Sequence, residues 1–471
     1  MQEQISRRQF IRASAAGAAA LAVGQFAVAA PQRRRPNILI ITTDQQRIDA
    51  TSASGNRWVK TPAMDSLAAG GVSFMQSYCP YPLCSPSRAA LHTARAPHEL
   101  LVDHNSMSID RTIPISGQIF RAAGYDTGYA GKWHLPNPYP EGGIAGYDVL
   151  NTSTRMGKLA RVVDESTLQA AIGFLRRRRD KPFLLTASFI NPHDICLLAN
   201  TNNLTDELWA RYGPQDGADL PPLPDNHALS QGTPQSQARR ARHGDWVAHR
   251  WRRYRYAYYR MMEDVDRQIG RLLQALRQSG REEDTLIVFT SDHGEGLGCH
   301  GWTGKLHFYD DAAAVPLLMS WKGVIPAGRT DRNHLVSALD VLPTLCDYAG
   351  VDAPPASRGR SLRGVIDDPK APGQAYVASE MAVGQARSFM IRTGRYKYMV
   401  FHEGPKAEMF FDMQADPGEM KNIAAEANTA AEIDRHRKLL AQWCVLTQVE
   451  KYPILPNPKQ NRPARRNAKK G

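Results

Sequence analysis

Pro36-Asn37-Ile38-Leu39-Ile40-Ile41-Thr42-Thr43 is an unbroken apolar run rich in β-branched side chains, and it stops on Asp44-Gln45-Gln46. A strand apolar on both sides is covered on both faces, the habit of parallel sheets clad in helices. The same grammar returns three times. Gly124–Ala130 leads into Gly131-Lys132-Trp133-His134, Pro182–Phe189 into Asn191-Pro192-His193, and Thr285–Thr290 into Ser291-Asp292-His293-Gly294. Between these runs, Glu165–Arg178 and Tyr256–Gln278 have helical spacing, the second closed by Gly280. The alternation predicts an α/β fold: a large, mostly parallel sheet sandwiched by helices. In such sheets ligands gather beyond the C-terminal strand ends, and here each strand ends in polar or charged residues.

Asp44 and Asp292 end two different buried strands. Two carboxylates at one sheet edge repel unless a cation lies between them, so the pair implies a metal. Gln45 and His293 are the natural additional ligands, making a mixed oxygen and nitrogen shell. Either aspartate alone would suit a helix cap equally well. Lys132 and His134 stand at i and i+2, positions that project from one side of an extended segment and can face one anion.

The chain also carries a candidate nucleophile. Tyr78-Cys79-Pro80-Tyr81-Pro82-Leu83 is too rich in proline for a helix or a central strand, and the stretch from Ser87 to Ala96 is helix-forming. Cys84, in Cys84-Ser85-Pro86-Ser87-Arg88, therefore sits at a loop-to-helix junction with a cation four residues on. A helix N-terminus and a fixed arginine both favour the thiolate. Taken alone, the same position also fits a buried structural thiol.

At 471 residues the chain is longer than one ordinary domain, and 42% hydrophobic with 22% charged residues is the balance of a globular enzyme. The net charge of +13 is confined to the ends. Residues 1–35 hold six arginines against one glutamate, and residues 451–471 hold seven basic residues and no acid, which leaves +1 for the rest. The folded part is thus not a nucleic-acid binder by charge. Ser6-Arg7-Arg8-Gln9-Phe10-Ile11-Arg12 before the Ala-rich run Ala13–Ala30 reads as a twin-arginine signal, with the Tat translocase as partner and the periplasm or beyond as destination. No later run is apolar enough for stable membrane insertion. Cys79, Cys84, Cys196, Cys299, Cys346 and Cys444 are spaced irregularly, with no disulfide framework or zinc pattern.

Four units are expected: a signal peptide over 1–30, a catalytic domain over 36–370, a C-terminal α+β subdomain over 371–450, and a basic disordered tail over 451–471. The C-terminal unit rests on three short antiparallel strands, Ser388–Thr393, Tyr396–Phe401 and Glu408–Asp412, and a helix from about Ala430 to Trp443. Residues 200–255 read as an irregular surface insertion whose arginines, Arg239 to Arg255, form a solvated face or a patch for a polyanion.

Cys84-x-Pro86-Ser87-Arg88 followed by Thr93-x-Arg95 resembles the signature of the formylglycine-dependent sulfatases of the alkaline phosphatase superfamily, with Ala94 where that family usually has glycine. Gly131-Lys132-Trp133-His134, Pro192-His193, the Lys305 segment running to Val315-Pro316-Leu317, and Gly359-Arg360-Ser361-Leu362 are similar to further family elements. The resemblance implies an alkaline-phosphatase-like fold and a sulfuric ester hydrolase. It implies conversion of Cys84 to formylglycine by a maturation enzyme, and one divalent metal held by Asp44, Gln45, Asp292, His293 and residue 84. Calcium is the family's metal. Gln45 in place of the common Asp, and His293 in place of Asn, leave manganese, magnesium and zinc open. By the same resemblance Lys132 and Lys305 hold the sulfate and Arg88 steadies the formylglycine diol. His193 or Lys305 protonates the leaving alcohol, and His134 takes the proton of the second hydroxyl. The substrate expected is a sulfated small molecule or glycan, with carbohydrate favoured by the basic insertion. A phosphonate monoester or phosphodiester hydrolase of the same superfamily is the alternative enzyme. A non-catalytic periplasmic binder of anionic polysaccharide is the alternative of another class.

Overall fold

The main sheet is built from β1 (Asn37–Asp44), β2 (Val72–Tyr78), β3 (Asp126–Gly131), β4 (Asp148–Thr152), β5 (Phe183–Pro192), β6 (Thr285–Ser291), β7 (Leu317–Ser320) and β8 (Arg329–Ser337). A computed structural model of the chain describes residues 35–136, 143–152, 158–200, 205–238, 246–383, 386–401 and 408–449. The twin-arginine segment, the basic tail and Arg239, Arg240 and Arg242 lie outside the described residues.

β1 has two buried faces because its side chains alternate between two cores. Leu39 and Ile41 join the core beneath the long Ala248–Gln278 helix, and Ile38 and Ile40 join the core on the other side. The strand order is β4-β3-β5-β1-β6-β7-β2-β8. β1 runs parallel to both neighbours, with Ile38 opposite Leu184 and Leu286. Only β7 runs antiparallel to its neighbours, so the sheet is mixed and mostly parallel, as expected.

The second sheet is antiparallel, in the order β12-β11-β10-β9, from β9 (Tyr376–Val383), β10 (Ala386–Thr393), β11 (Tyr396–Val400) and β12 (Glu408–Asp412). β9 is an addition to the three strands expected. Helix Ala430–Leu446 lays Ile433, Leu440 and Trp443 on Phe389, Ile391, Tyr398 and Phe410. On the sheet's other face Met381, Met390, Met399 and Phe411 meet Tyr78 at the end of β2 and Tyr81 and Leu83 from the nucleophile loop, so the described residues from Pro36 onward make one compact unit.

The expected insertion needs correction. Thr205–Tyr212 is a helix, and the Tyr256–Gln278 helix begins earlier, at Ala248, because Trp251, Tyr254 and Arg255 continue its buried stripe. Among the described residues, two of its arginines are tied inward, and Arg250 stays exposed. Arg252 donates to the carbonyls of Leu220 and Pro221, Arg255 donates to that of Leu297, and Arg250 and Arg253 lie over Trp246 and Trp209. Asp148–Thr152 forms the edge strand β4, paired with β3.

Candidate active site

The order β3-β5-β1-β6 brings four strand ends to one edge. Gly131 pairs with Ser188, Asp44 with Pro192 and Thr43 with Ser291. Lys132, His193, Asp44 and Asp292, distant in sequence, emerge there side by side. From across the edge comes the helix Cys84–Thr93, whose first residue is Cys84. Proline in the preceding loop blocks earlier helix formation, and Leu83 adopts an extended backbone as N-cap. The helix ends at Ala94 with φ +56°, the left-handed turn that explains a glycine preference there.

Arg88 lies beneath the two carboxylates. Its Nε donates to Asp292 Oδ2 at 2.8 Å and its Nη2 to Asp44 Oδ2 at 3.1 Å, while Nη1 donates to the Lys132 carbonyl and to Ser188 Oγ. Lys132 Nζ also pairs with Asp44 Oδ2. The Oδ2 atoms are thereby neutralised from below. Metal-ligating atoms of Asp44, Asp292, His293 and Cys84 lie within 4.8 Å of one another. His293 Nδ1 faces the Gly294 carbonyl at 2.9 Å, which leaves Nε2 turned to the cluster, 3.2 Å from Cys84 Sγ. Two carboxylate oxygens, an imidazole nitrogen and an anionic nucleophile converging in a buried place fit a divalent cation.

The surrounding charges set the protonation states. Burial and the Asp44 carboxylate push the Cys84 thiol up, but Lys132, Lys305 and His293 outweigh them and hold it well below the usual thiol range. Burial opposes ionisation of Asp44 too, yet Lys132, Arg88 and Lys305 keep its carboxyl well below normal. Asp292 is raised, by burial and then by Asp44. Burial, with Lys305 and Lys132, drives His193 down to about 3, so it is neutral there. Its Nε2 is 3.9 Å from Asp44 Oδ1. Burial lowers Lys305, but the charges of Cys84, Cys196 and Asp44 raise it further and keep it protonated. Lys305 Nζ is 3.4 Å from Cys84 Sγ and 2.7 Å from Gln45 Oε1.

His134 departs from expectation. Its φ of +61° breaks the extended alternation, so it does not share a side with Lys132. The imidazole is exposed, and His134 meets the nucleophile segment through its carbonyl, which accepts from Ser85 Oγ at 2.6 Å. Gln45 reaches the site, but its carboxamide oxygen is taken by Lys305. Sequence reasoning passed over Ser188, Asn105, which accepts from the Ser85 amide, and Glu295, which holds Gln45. Of these only Glu295 had a signal, two residues past His293 in the same turn. A cavity of about 380 Å³ opens beside Lys305, lined by Leu83, Cys196, Asn200, Trp302 and Thr303 among others.

The sulfatase family model matches residues 36–351. The chain belongs to the sulfatase family. A second model, N-sulphoglucosamine sulphohydrolase, C-terminal, matches residues 298–444 of this sulfatase. The Delta 4,5-hexuronate-2-O-sulfatase of Bacteroides thetaiotaomicron is 30% identical to it over 452 residues, covering 88% of this chain and 90% of that one. The solved structure of a 2-O GAG sulfatase superposes with a TM-score of 0.78 at 27% identity, over 90% of this chain and 96% of the other. A phosphonate monoester hydrolase of Agrobacterium radiobacter superposes with a TM-score of 0.73 at 26% identity, over 90% and 100% of the two chains. This sulfatase is a sulfuric ester hydrolase, and its family implies a metal and formylglycine. The twin-arginine pathway signal model matches residues 4–24, so the sulfatase is exported to the periplasm or beyond. Among the described residues no helix is long and apolar enough to cross a membrane.

Proposed function

We propose that this sulfatase cleaves a sulfate monoester of a carbohydrate, using formylglycine made from Cys84 by a maturation enzyme, with calcium as its metal. The observation that carries the reading is the meeting of Cys84, at a helix N-terminus, with Asp44, Asp292, His293, Lys132 and Lys305 around one buried point. A sulfate ester shields its sulfur with anionic oxygens, so cleavage needs charge neutralisation, an oxygen nucleophile and protonation of the departing alcohol. Asp44, Asp292 and His293 would hold calcium, with Gln45 beside them, and the ion's charge would favour an ionised hydroxyl at position 84.

The rest follows from the chain's own groups. Lys132 and Lys305 hold the sulfate oxygens, and Arg88 fixes both aspartates beneath them. One hydroxyl of hydrated formylglycine attacks sulfur as the bond from sulfur to the alcohol oxygen breaks. Lys305, kept protonated, gives that oxygen its proton. Neutral His193, rather than the exposed His134, is placed to take the proton of the second hydroxyl, so that the aldehyde re-forms as sulfate leaves. The cavity supports a sugar-sized alcohol, with Asn200 and Thr303 among its lining residues offering polar groups. The hexuronate sulfatase among its relatives supports the same class.

The likeness to a phosphonate monoester hydrolase favours one other reading, in which the anion is a phosphonate ester. Turnover of an aryl sulfate, an aryl phosphonate monoester and a 2-O-sulfated uronate disaccharide, measured side by side, separates the two. Fastest kcat/KM on the sulfated sugar is expected, and a preference for the phosphonate overturns the proposal. Peptide mass spectrometry of the Cys84 segment should show the mass loss of formylglycine.

A further inference from the structure

Glu295, two residues beyond His293, is fully buried and is absent from the cavity's lining. Every partner of its carboxylate is a donor. Oε1 accepts from Tyr254 Oη at 3.0 Å, the Gly304 amide at 2.6 Å and the Leu297 amide at 3.3 Å, and Oε2 accepts from Gln45 Nε2. A carboxamide can turn either end toward a neighbour, and only its amino end can serve a carboxylate that accepts everywhere else. Gln45 Oε1 is thereby turned to Lys305 Nζ, 2.7 Å away, and it also accepts from Cys196 Sγ at 3.3 Å. The Gly304 amide belongs to the residue before Lys305, so the same carboxylate also anchors the loop that carries the lysine. Gln45 itself is pinned at φ +72° by Tyr258 Oη donating to its carbonyl and by its own amide donating to Asp292 Oδ1. With the backbone held, the flip of the amide is the freedom left, and Glu295 at the amino end and Lys305 at the oxygen end together remove it.

We propose that Glu295 is a positioning residue that orients Gln45 and Lys305 together, presenting an oxygen rather than an amino group to the metal and sulfate site. This rests on the reading of the site as a metal-dependent sulfatase centre. Glu295→Gln keeps size and the Oε1 bonds but presents an amino group to Gln45. Gln45 then flips and turns its own amino group on Lys305 and the cation.

The test measures Ca²⁺ affinity by titration calorimetry, kcat and KM on a sulfate ester, and Tm. For Glu295→Gln the expected result is a 10- to 100-fold loss in Ca²⁺ affinity and in kcat, with Tm near wild type. The double variant Gln45→Glu with Glu295→Gln exchanges donor and acceptor and should recover most of both losses, which loss of general packing would not allow. A Glu295→Gln protein equal to wild type in both, or a double variant no better than the single, overturns the inference. If the single variant does not fold, the double decides: a folded, Ca²⁺-binding double supports the inference, and a double that fails likewise overturns it. Wild-type protein that neither binds Ca²⁺ nor hydrolyses sulfate esters sinks the underlying reading and this inference with it. Wild type that does both beside an unaffected Glu295→Gln sinks this inference alone.

Discussion

Lys305 and Lys397 both stand among anions, and their surroundings differ in one respect. Lys397, on β11, is fully buried, and its three N–H groups are matched by Asp310, Glu419 Oε1 at 2.7 Å and the Phe308 carbonyl at 3.2 Å. The remaining Glu419 oxygen takes the Asp310 amide. Lys305 bonds Gln45 Oε1 and Cys84 Sγ and lines the cavity. A closed set of charges ties β11 to the segment around Phe308 and Asp310; an open one keeps capacity for a ligand. The same residue type therefore serves structure or chemistry according to whether its partners use up its hydrogen bonds.

The hardest test of the open cluster is Cys84→Ala, which should lower sulfate-ester turnover at least about 10⁴-fold while leaving thermal unfolding almost unchanged. A residual rate near wild type would remove the nucleophile from the comparison. Next comes a reciprocal pair. Lys305→Ala should cut kcat/KM about 10²- to 10³-fold at little cost in stability. Lys397→Met should cost about 3–5 kcal/mol in denaturant unfolding, because Asp310 and Glu419 lose their cation, yet leave kcat of the folded protein as it was. If both variants lose activity alike, the distinction between closed and open clusters fails.

A smaller effect depends on pH. Asp311, buried beside the closed cluster, has its carboxyl pushed up to about 7, chiefly by burial. Its folded value lies above its unfolded one, so the native state keeps a proton that the unfolded chain has lost. Its contribution to stability is therefore full at acid pH and lost as pH rises from about 4 to about 7. Asp311→Asn does not titrate, and unfolding curves should show it gaining roughly 2–3 kcal/mol on wild type between pH 5 and pH 8. Equal pH slopes for the two proteins would refute the shift. The smallest effect concerns the helix that delivers the nucleophile. Ala94→Gly relieves a left-handed alanine and loses a methyl group, so its stability should stay within about 1 kcal/mol of wild type. Ala90→Gly, inside the same helix, should cost about 1.5–2 kcal/mol.

Much of this was legible before any coordinates. β1, β3, β5 and β6 announce themselves because a strand buried on both faces has an apolar run that nothing else of that length explains. The polar residues that end them are legible for the same reason. β9 escaped because its Glu380 and Ser379 interrupt the apolar pattern, and the partner that satisfies the Glu380 carboxylate, His98, comes from far away in the chain. The early start of the Ala248–Gln278 helix was hidden by arginines that look solvent-facing in a string of letters and in fact bond buried carbonyls. His134 was misread because i and i+2 share a side only while the backbone stays extended.

Local patterns, then, were enough for β1, β3, β5 and β6, for the loop-to-helix junction at Cys84, and for the kinds of side chain waiting at each of those strand ends, since periodicity and proline act within about ten residues. They could not say that β3, β5, β1 and β6 would lie side by side, that Arg88 would bridge Asp44 and Asp292, or that Glu295 would turn Gln45. Those outcomes join residues up to 250 positions apart, and they are set by how two cores pack on opposite faces of one sheet, where burial forces each charge to find its partner.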